Sequence, residues 1–138
     1  MKMKFLCGAV IVKDGKIISK AHNQKEAKTD TTKHAEIIAI QKASKKIKNW
    51  RLEDATLYVT LEPCTMCIGA IIGARIKRVC FGVIDEKTGA CGSVLNIPKD
   101  YVFNHTVEIE SGIMEEECRE LLQSFFKNLR KRKSKKEV

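Results

Sequence analysis

The sequence predicts an α/β fold in which helices cover both faces of a central mixed sheet of about five strands. Three observations lead to this prediction. Segments of strand composition alternate with segments of helical periodicity, and Lys13-Asp14-Gly15 forms a turn signal between the first two strands. No repeat, linker or low-complexity stretch divides the 138 residues before the basic end. We therefore expect a single domain over residues 1–138, with a basic C-terminal tail at about 127–138.

Five apolar segments are predicted to form the strands of this sheet. The first two flank the turn signal and are expected to pair as a hairpin, whereas the later strands are separated by helical segments, which favours parallel neighbours. The predicted strands are 7–13, 16–22, 56–60 (TLYVT), 78–82 (RVCFG) and, more weakly, 107–110.

Three segments predict helices. His34 to about Ile47 has the apolar spacing of a largely buried helix, and the polar residues 30–32 (Asp-Thr-Thr) are expected to cap its N-terminus. Pro63 begins a second helix from Cys64 to about Ala74, since proline is best tolerated in a first turn. A long amphipathic helix is expected from about Met114 into the tail.

The net charge of +9 is concentrated at the end of the chain, where residues 127–138 hold seven Lys/Arg and one Glu. Such a block of positive charge can steer a polyanion such as RNA to a protein. The alternative interpretation is a solvated helix end without a partner. Charge alone does not decide between them.

The start of the chain and the cysteines bear on its location. Lys2, Lys4 and the apolar run 5–12 resemble a secretory signal, but a turn and a second apolar run follow in place of a cleavage site, which favours a hairpin. No apolar stretch approaches the roughly 20 residues that span a bilayer, so we expect no membrane association.

The six cysteines do not sit in a small secreted scaffold. We therefore expect reduced thiols and a cytoplasmic location.

Two short segments carry residues suited to metal chemistry: His34-Ala35-Glu36 and, some 30 residues later, Pro63-Cys64-Thr65-Met66-Cys67. His34 and Glu36 can serve one site only from the first turn of a helix, because residues two apart otherwise point to different sides. Cys64 and Cys67 are three apart and share a helix face. Two thiolates and one imidazole leave the fourth position of a tetrahedral Zn²⁺ open, which is typical of a catalytic site.

An open zinc position makes water a nucleophile, since zinc lowers the pKa of bound water from about 15.7 to about 7. Glu36 is adjacent to the ligands but is not needed as one, so we expect it to move protons as general acid and base. Two other interpretations compete. A redox CxxC pair leaves His34 and Glu36 unexplained, and a structural zinc knuckle needs further ligands that Cys80 and Cys91 do not supply as a pair.

The remaining candidates for metal binding have simpler explanations. His22 and His105 are expected to be surface or hydrogen-bonded histidines, and Cys7, Cys80 and Cys118 are expected to fill the core.

The combination of HAE with PCxxC resembles the cytidine deaminase-like superfamily. Longer segments are similar to the tRNA-specific adenosine deaminases, which make inosine at the wobble position of the anticodon. HxE and PCxxC alone would also fit cytosine, guanine and nucleotide deaminases; the loop at 81–93 and the basic C-terminal segment favour the tRNA enzymes. The similar segments are AHN (21–23), DATLYVTLEPCTMCIGAI (54–71), FGVIDEKTGACGS (81–93), NHTVEI (104–109) and ECRELLQSFFKNLRKRK (117–133).

The resemblance implies a three-layer α/β/α cytidine deaminase-like fold. It implies that His34, Cys64 and Cys67 bind one Zn²⁺ per subunit and that Glu36 is the general acid/base. It also implies a homodimer that binds the anticodon loop of a tRNA, although nothing in composition or spacing demonstrates the dimer.

Two further residues are assigned to the substrate by resemblance. Asn23 occupies the position that hydrogen-bonds the flipped base in the family, and Asp85 lies where the family's loop touches the nucleotides flanking the target. The alternatives are an asparagine in a turn and an ordinary surface aspartate.

The predicted function is hydrolytic deamination of adenosine to inosine at the wobble position of a tRNA. Two alternatives stay open: a deaminase of a free base or nucleotide, of guanine or cytosine type, and a non-catalytic, zinc-stabilised RNA-binding subunit. The basic tail speaks against the first, since a small substrate does not need it. Glu36 speaks against the second, since an inactive protein has no chemical reason to keep a carboxylate there.

Overall fold

The computed structural model describes residues 8–23, 30–101, 103 and 105–113. Its centre is a five-stranded mixed sheet with the strand order β2-β1-β3-β4-β5, which confirms the predicted class of fold. The strands are β1 (Gly8–Lys13), β2 (Lys16–His22), β3 (Ala55–Leu61), β4 (Arg78–Val83) and β5 (Glu108–Glu110).

The sheet combines antiparallel and parallel pairing, as the sequence predicts. β1 pairs antiparallel with β2 and with β3, whereas β3, β4 and β5 run parallel. Asp14 and Gly15 both have positive φ angles, of 53° and 74°, and connect Lys13 to its partner Lys16 in a two-residue hairpin turn. The predicted Asp-Gly turn is therefore confirmed.

The helices are α1 (Ala35–Ile47), α2 (Thr65–Gly73) and the short α3 (Ile97–Asp100), which the sequence analysis missed. α1 lies against β2 and β1 and also contacts α2, so these two helices share one face of the sheet. The apolar residues that they bury include Ile38, Ala39, Ile68 and Ile71.

The predicted capping of α1 is wrong. Residues 30–32 do not cap the helix; instead the Asp30 carboxylate accepts hydrogen bonds from the Thr32 N–H (2.9 Å) and the Thr32 hydroxyl (2.6 Å). These contacts close a local turn two residues long, which competes with helix capping. His34 is the N-cap residue, and its side chain makes no capping hydrogen bond. That side chain is therefore available for other contacts.

The structure places two histidines and one cysteine as the sequence predicts. His22 is exposed, the His105 Nε2 atom lies 2.6 Å from the Ile76 carbonyl oxygen, and Cys80 is buried, all as expected. The four cysteines of the described residues, at 64, 67, 80 and 91, form no disulfide. Cys7, Cys118, the helix predicted from Met114 and the basic tail lie outside the described residues.

Among the residues that the structure describes, none of the helices combines the length and the apolar character needed to cross a bilayer.

Candidate active site

Three side chains from two helix N-termini meet at one point. The Nδ1 atom of His34 lies 3.4 Å from the Sγ atom of Cys67 and 3.8 Å from the Sγ atom of Cys64. All three donor atoms lie within 4.8 Å of one another, and they form the one such cluster among the described His, Cys, Asp and Glu residues. The structure therefore brings together the three residues that the sequence predicted as metal ligands.

The helix starts explain how residues 30 positions apart converge. His34 and Cys64 are the N-cap residues of α1 and α2, and both have extended backbone conformations. Each carbonyl accepts the first hydrogen bond of its helix, from Ile38 N–H (3.1 Å) and Ile68 N–H (2.9 Å) respectively. An N-cap side chain projects beyond the helix end, where the positive end of the helix dipole favours a thiolate.

The two cysteine sulfurs are hydrogen-bonded to each other, which separates their pKa values. The Cys67 thiol donates to the Cys64 sulfur, which lowers the pKa of Cys64 to about 5, with the nearby His34 adding to this shift against the effect of burial. The same hydrogen bond, together with burial, raises the pKa of Cys67 far above its usual range. A divalent cation would replace that proton and allow both sulfurs to be thiolates.

The donor set fits zinc. Two sulfurs and one imidazole nitrogen are borderline-soft ligands, and their mutual distances suit three corners of a tetrahedron around one ion. The CxxC interval supplies both sulfurs from one helix turn. A zinc ion held by these three residues would have a fourth coordination position for water.

A cavity of about 100 Å³ opens beside the cluster. Five of the six predicted site residues line it, and Cys67 is fully buried behind it. The lining residues come from the carboxyl ends of β2 and β3, from the segments that begin α1 and α2, and from the loop after β4. The lining residues are Asn23, His34, Glu36, Val59, Leu61, Glu62, Cys64, Asp85 and Thr88.

Glu36 is a buried carboxyl group in the first turn of α1. It is 8% exposed, and burial raises its pKa, while its hydrogen bonds with its own backbone N–H and with Cys67 and the proximity of His34 oppose the shift. A carboxyl group that holds its proton more readily than usual, and that faces a pocket beside a metal site, is suited to accept and return a proton.

Asp85 lines the pocket, and its carboxylate also accepts hydrogen bonds within its own loop. It accepts hydrogen bonds from the Lys87 N–H (3.0 Å), the Thr88 N–H (3.1 Å) and the Thr88 hydroxyl (2.7 Å). Burial alone would raise the pKa of this carboxyl, but these hydrogen bonds outweigh it and lower the pKa. Asp85 therefore shapes the turn at residues 85–88 as well as the pocket wall.

Glu62 is a pocket residue that the sequence analysis missed. It directly follows the apolar segment TLYVTL (56–61) and is 2% exposed, although it carries a carboxylate. Its partners are backbone and side-chain donors of the loop after β4, at Asp85, Cys91 and Ser93. A charged residue at the end of a buried strand, directly before Pro63 and Cys64, was the signal that could have drawn attention to it.

Comparison with known proteins identifies the family of this chain. The MafB19-like deaminase family matches residues 2–130, a range that includes all six predicted site residues. A protein of Bacillus subtilis named tRNA-specific adenosine deaminase is 48% identical over 126 residues, which cover 91% of this chain and 78% of that protein. The chain belongs to the tRNA-specific adenosine deaminase family.

Two further relatives of this family extend the comparison. A protein of Haemophilus influenzae with the name tRNA-specific adenosine deaminase is 51% identical over 127 residues, covering 91% of this chain and 73% of that protein. A solved structure from studies of A-to-I editing by tRNA:A34 deaminases superposes with a TM-score of 0.80 at 43% identity and covers 83% of each chain. The family membership supplies both the fold and the class of enzyme, a hydrolytic deaminase.

Proposed function

We propose that this chain converts adenosine to inosine at the wobble position of a tRNA anticodon by hydrolytic deamination. The observation that carries the proposal is the pocket in which Glu36 lies beside the His34, Cys64 and Cys67 cluster. The names of the relatives, and the A34 editing activity of the structural neighbour, support the choice of substrate.

We propose zinc, one ion per subunit, as the cofactor held by His34, Cys64 and Cys67. When bound, zinc supplies a Lewis acid that makes water a nucleophile at neutral pH. The protein would hold the ion with three ligands and leave its fourth coordination position for water. The fit of two sulfurs and one nitrogen within 4.8 Å supports this choice of metal.

Glu36 is proposed as the group that moves protons. Water adds its oxygen to C6 of the adenine ring and gives up a proton, which the Glu36 carboxylate accepts and passes to the ring nitrogen N1. Glu36 then accepts the remaining proton of the new C6 hydroxyl and delivers it to the amino group, so that the C6–N bond breaks, the hydroxyl becomes the C6 carbonyl and ammonia leaves. Adenosine and water thus become inosine and ammonia, and Glu36 returns to its starting state.

Asn23 and Asp85 are proposed as substrate contacts at opposite sides of the pocket. Asn23, at the end of β2, has both a donor and an acceptor with which to recognise an adenine edge. Asp85 stands on the loop after β4, where a nucleotide beside the flipped base would pass. The apolar Val59 and Leu61 provide a floor against which a flat base can pack.

The assembly and location of the protein belong to the same proposal. We propose one deaminase domain over residues 1–138, a homodimer, and a cytoplasmic location where tRNA is found. Exposed apolar side chains between β4 and β5 support a dimer contact, since large exposed apolar patches commonly mark interfaces. They are Val94, Leu95, Tyr101 and Phe103, each at least 45% exposed. Light scattering that gives the mass of a monomer would contradict the dimer.

The substrate is tested with purified, zinc-loaded protein and four compounds in parallel. These are an anticodon stem-loop with a wobble adenosine, the same stem-loop with the adenosine moved one position, free guanine and free cytidine. We expect inosine and ammonia from the first alone. Turnover of guanine or cytidine without inosine formation in the stem-loop would instead support a free-base deaminase, and no turnover of any compound would support a non-catalytic protein.

A further inference from the structure

A buried carboxylate lies where β3 ends, two residues before the metal ligand Cys64. The side chain of Glu62 is 2% exposed, so it is buried more deeply than that of Glu36, which is 8% exposed. The ion pairs among the described residues are Arg51–Glu53 and Arg78–Glu110, and neither includes Glu62. A carboxylate buried in this way needs hydrogen-bond donors.

The loop after β4 supplies those donors. One oxygen of Glu62 accepts the Asp85 N–H at 3.0 Å and the Ser93 hydroxyl, and the other accepts the Cys91 N–H at 2.9 Å and the Ser93 N–H at 3.2 Å. The donors come from both ends of the loop. The carboxylate therefore ties the start and the end of residues 85–93 to one point.

The loop is built to approach this carboxylate closely. A Cβ atom on Gly89 would lie 2.4 Å from the Cδ atom of Glu62 and 2.5 Å from the Asp85 carbonyl oxygen, so no side chain fits there. Gly89 also forms a bridge with Cys64, and the Ala90 N–H donates to the Pro63 carbonyl at 2.9 Å. Loop 85–93 thus packs on the segment that carries the Cys64 ligand.

We propose that Glu62 is a positioning residue for substrate binding: it holds loop 85–93 so that Asp85 and Thr88 form part of the wall of the pocket that Glu36 also lines. This inference rests on the proposed function, because the wall is expected to contact the RNA beside the target base. Glu62 acts through the loop and not on the reacting atoms. Its loss should therefore weaken substrate binding more than it slows the chemical step.

A carboxylate does this better than an amide, because four donors converge on it. In Glu62→Gln the oxygen can still accept the Cys91 and Ser93 N–H groups, and the Ser93 hydroxyl can turn to accept from the new NH₂ group. The Asp85 N–H then faces another donor and has no acceptor. The substitution should release the Asp85 end of the loop and leave the rest of the packing in place.

The test compares steady-state kinetics of Glu62→Gln and wild type on the wobble-adenosine stem-loop, with zinc content measured on the same samples. We expect KM to rise about tenfold, equivalent to about 1.4 kcal/mol of lost binding, with kcat within about threefold and bound zinc unchanged. Glu53→Gln is the matched control, since it makes the same chemical change at an exposed position away from the pocket. It should leave KM and kcat unaltered.

An unchanged KM in a folded Glu62→Gln protein would overturn the inference and leave Glu62 as a residue for stability alone. A fall in kcat at constant KM, or a loss of zinc, would also overturn it, because Glu62 would then act through Cys64. If Glu62→Gln does not fold, Ser93→Ala removes only the hydroxyl bond, and a KM equal to that of wild type overturns the inference. Failure of wild type to deaminate the stem-loop would instead count against the proposed function.

Discussion

The Nδ1 atom of His34 lies 3.4 Å from the Sγ atom of Cys67, although 33 residues separate them in the chain. The contact exists because two helices begin side by side, and His34 projects from the first while Cys67 completes the first turn of the second. The metal site is therefore a property of two helix N-termini and of the sheet that aligns them. Substitution of Cys67, which does not line the pocket, tests this cluster without changing the residues that line the pocket.

Replacement of Cys67 by serine should abolish zinc binding. Serine has nearly the same shape, but its hydroxyl does not replace a thiolate ligand at neutral pH, and the remaining two ligands hold the ion weakly. We expect the zinc content to fall from about one ion per chain to near zero, measured by mass spectrometry of the metal after dialysis. Cys80→Ser is the control, since Cys80 is equally buried but lies outside the cluster. Full zinc occupancy in Cys67→Ser would contradict the assigned ligand set.

Gly89→Ala should destabilise the protein. The added methyl group would collide with the Glu62 carboxylate and the Asp85 carbonyl, both at about 2.5 Å, and neither the buried side chain nor the backbone can move freely. We expect the free energy of unfolding to fall by about 1–3 kcal/mol, as for other overpacked positions. Thermal unfolding of the zinc-loaded variant measures this change. A melting temperature equal to that of wild type would show that the loop is less tightly packed than described.

Gly69→Ala should have the opposite effect and serves as the comparison. Gly69 lies inside α2, is exposed, and has open space around the position of a Cβ atom. Alanine lowers the conformational entropy of the unfolded chain and favours the helix, which predicts a gain of about 0.5–1 kcal/mol. The same unfolding measurement checks it. A loss of stability would mean that this helix surface is covered by a contact outside the described residues.

Much of the site could be predicted from the sequence because its signals are local. His34 and Cys64 immediately precede two helices, and Glu36 and Cys67 lie in the first turns of those helices, so the spacing within each short segment was sufficient. Asn23 and Asp85 were different, because an asparagine after a strand and an aspartate in a loop are common. Their assignment depended on resemblance to a family.

Other features depended on contacts that the sequence does not display. The donors to Glu62 lie 23 to 31 residues downstream, in a loop without periodicity, so no local pattern could identify them. The capping prediction for α1 failed for a related reason. The carboxylate of Asp30 could bond either to the helix or to the turn at Thr32, and composition alone does not say which N–H is nearer.

Truncation after Asn128 should weaken RNA binding and reduce its dependence on salt. The removed residues carry six Lys/Arg and one Glu, and each phosphate contact that is lost makes the slope of log affinity against log salt shallower. Binding of the anticodon stem-loop, measured by fluorescence anisotropy at several salt concentrations, gives both quantities. An unchanged slope would support the interpretation of the tail as a solvated chain end.

Glu36 is proposed to move protons for a reaction at the His34, Cys64 and Cys67 site. The most direct measurement is single-turnover conversion of adenosine to inosine in the wobble-adenosine stem-loop by wild type and by Glu36→Gln, with zinc quantified in both. Because general acid–base catalysis contributes at least about 10²-fold, we predict a rate reduced by about that factor or more, with unchanged zinc and RNA affinity. An equal rate of inosine formation in the zinc-loaded variant would show that Glu36 does not move protons in this reaction.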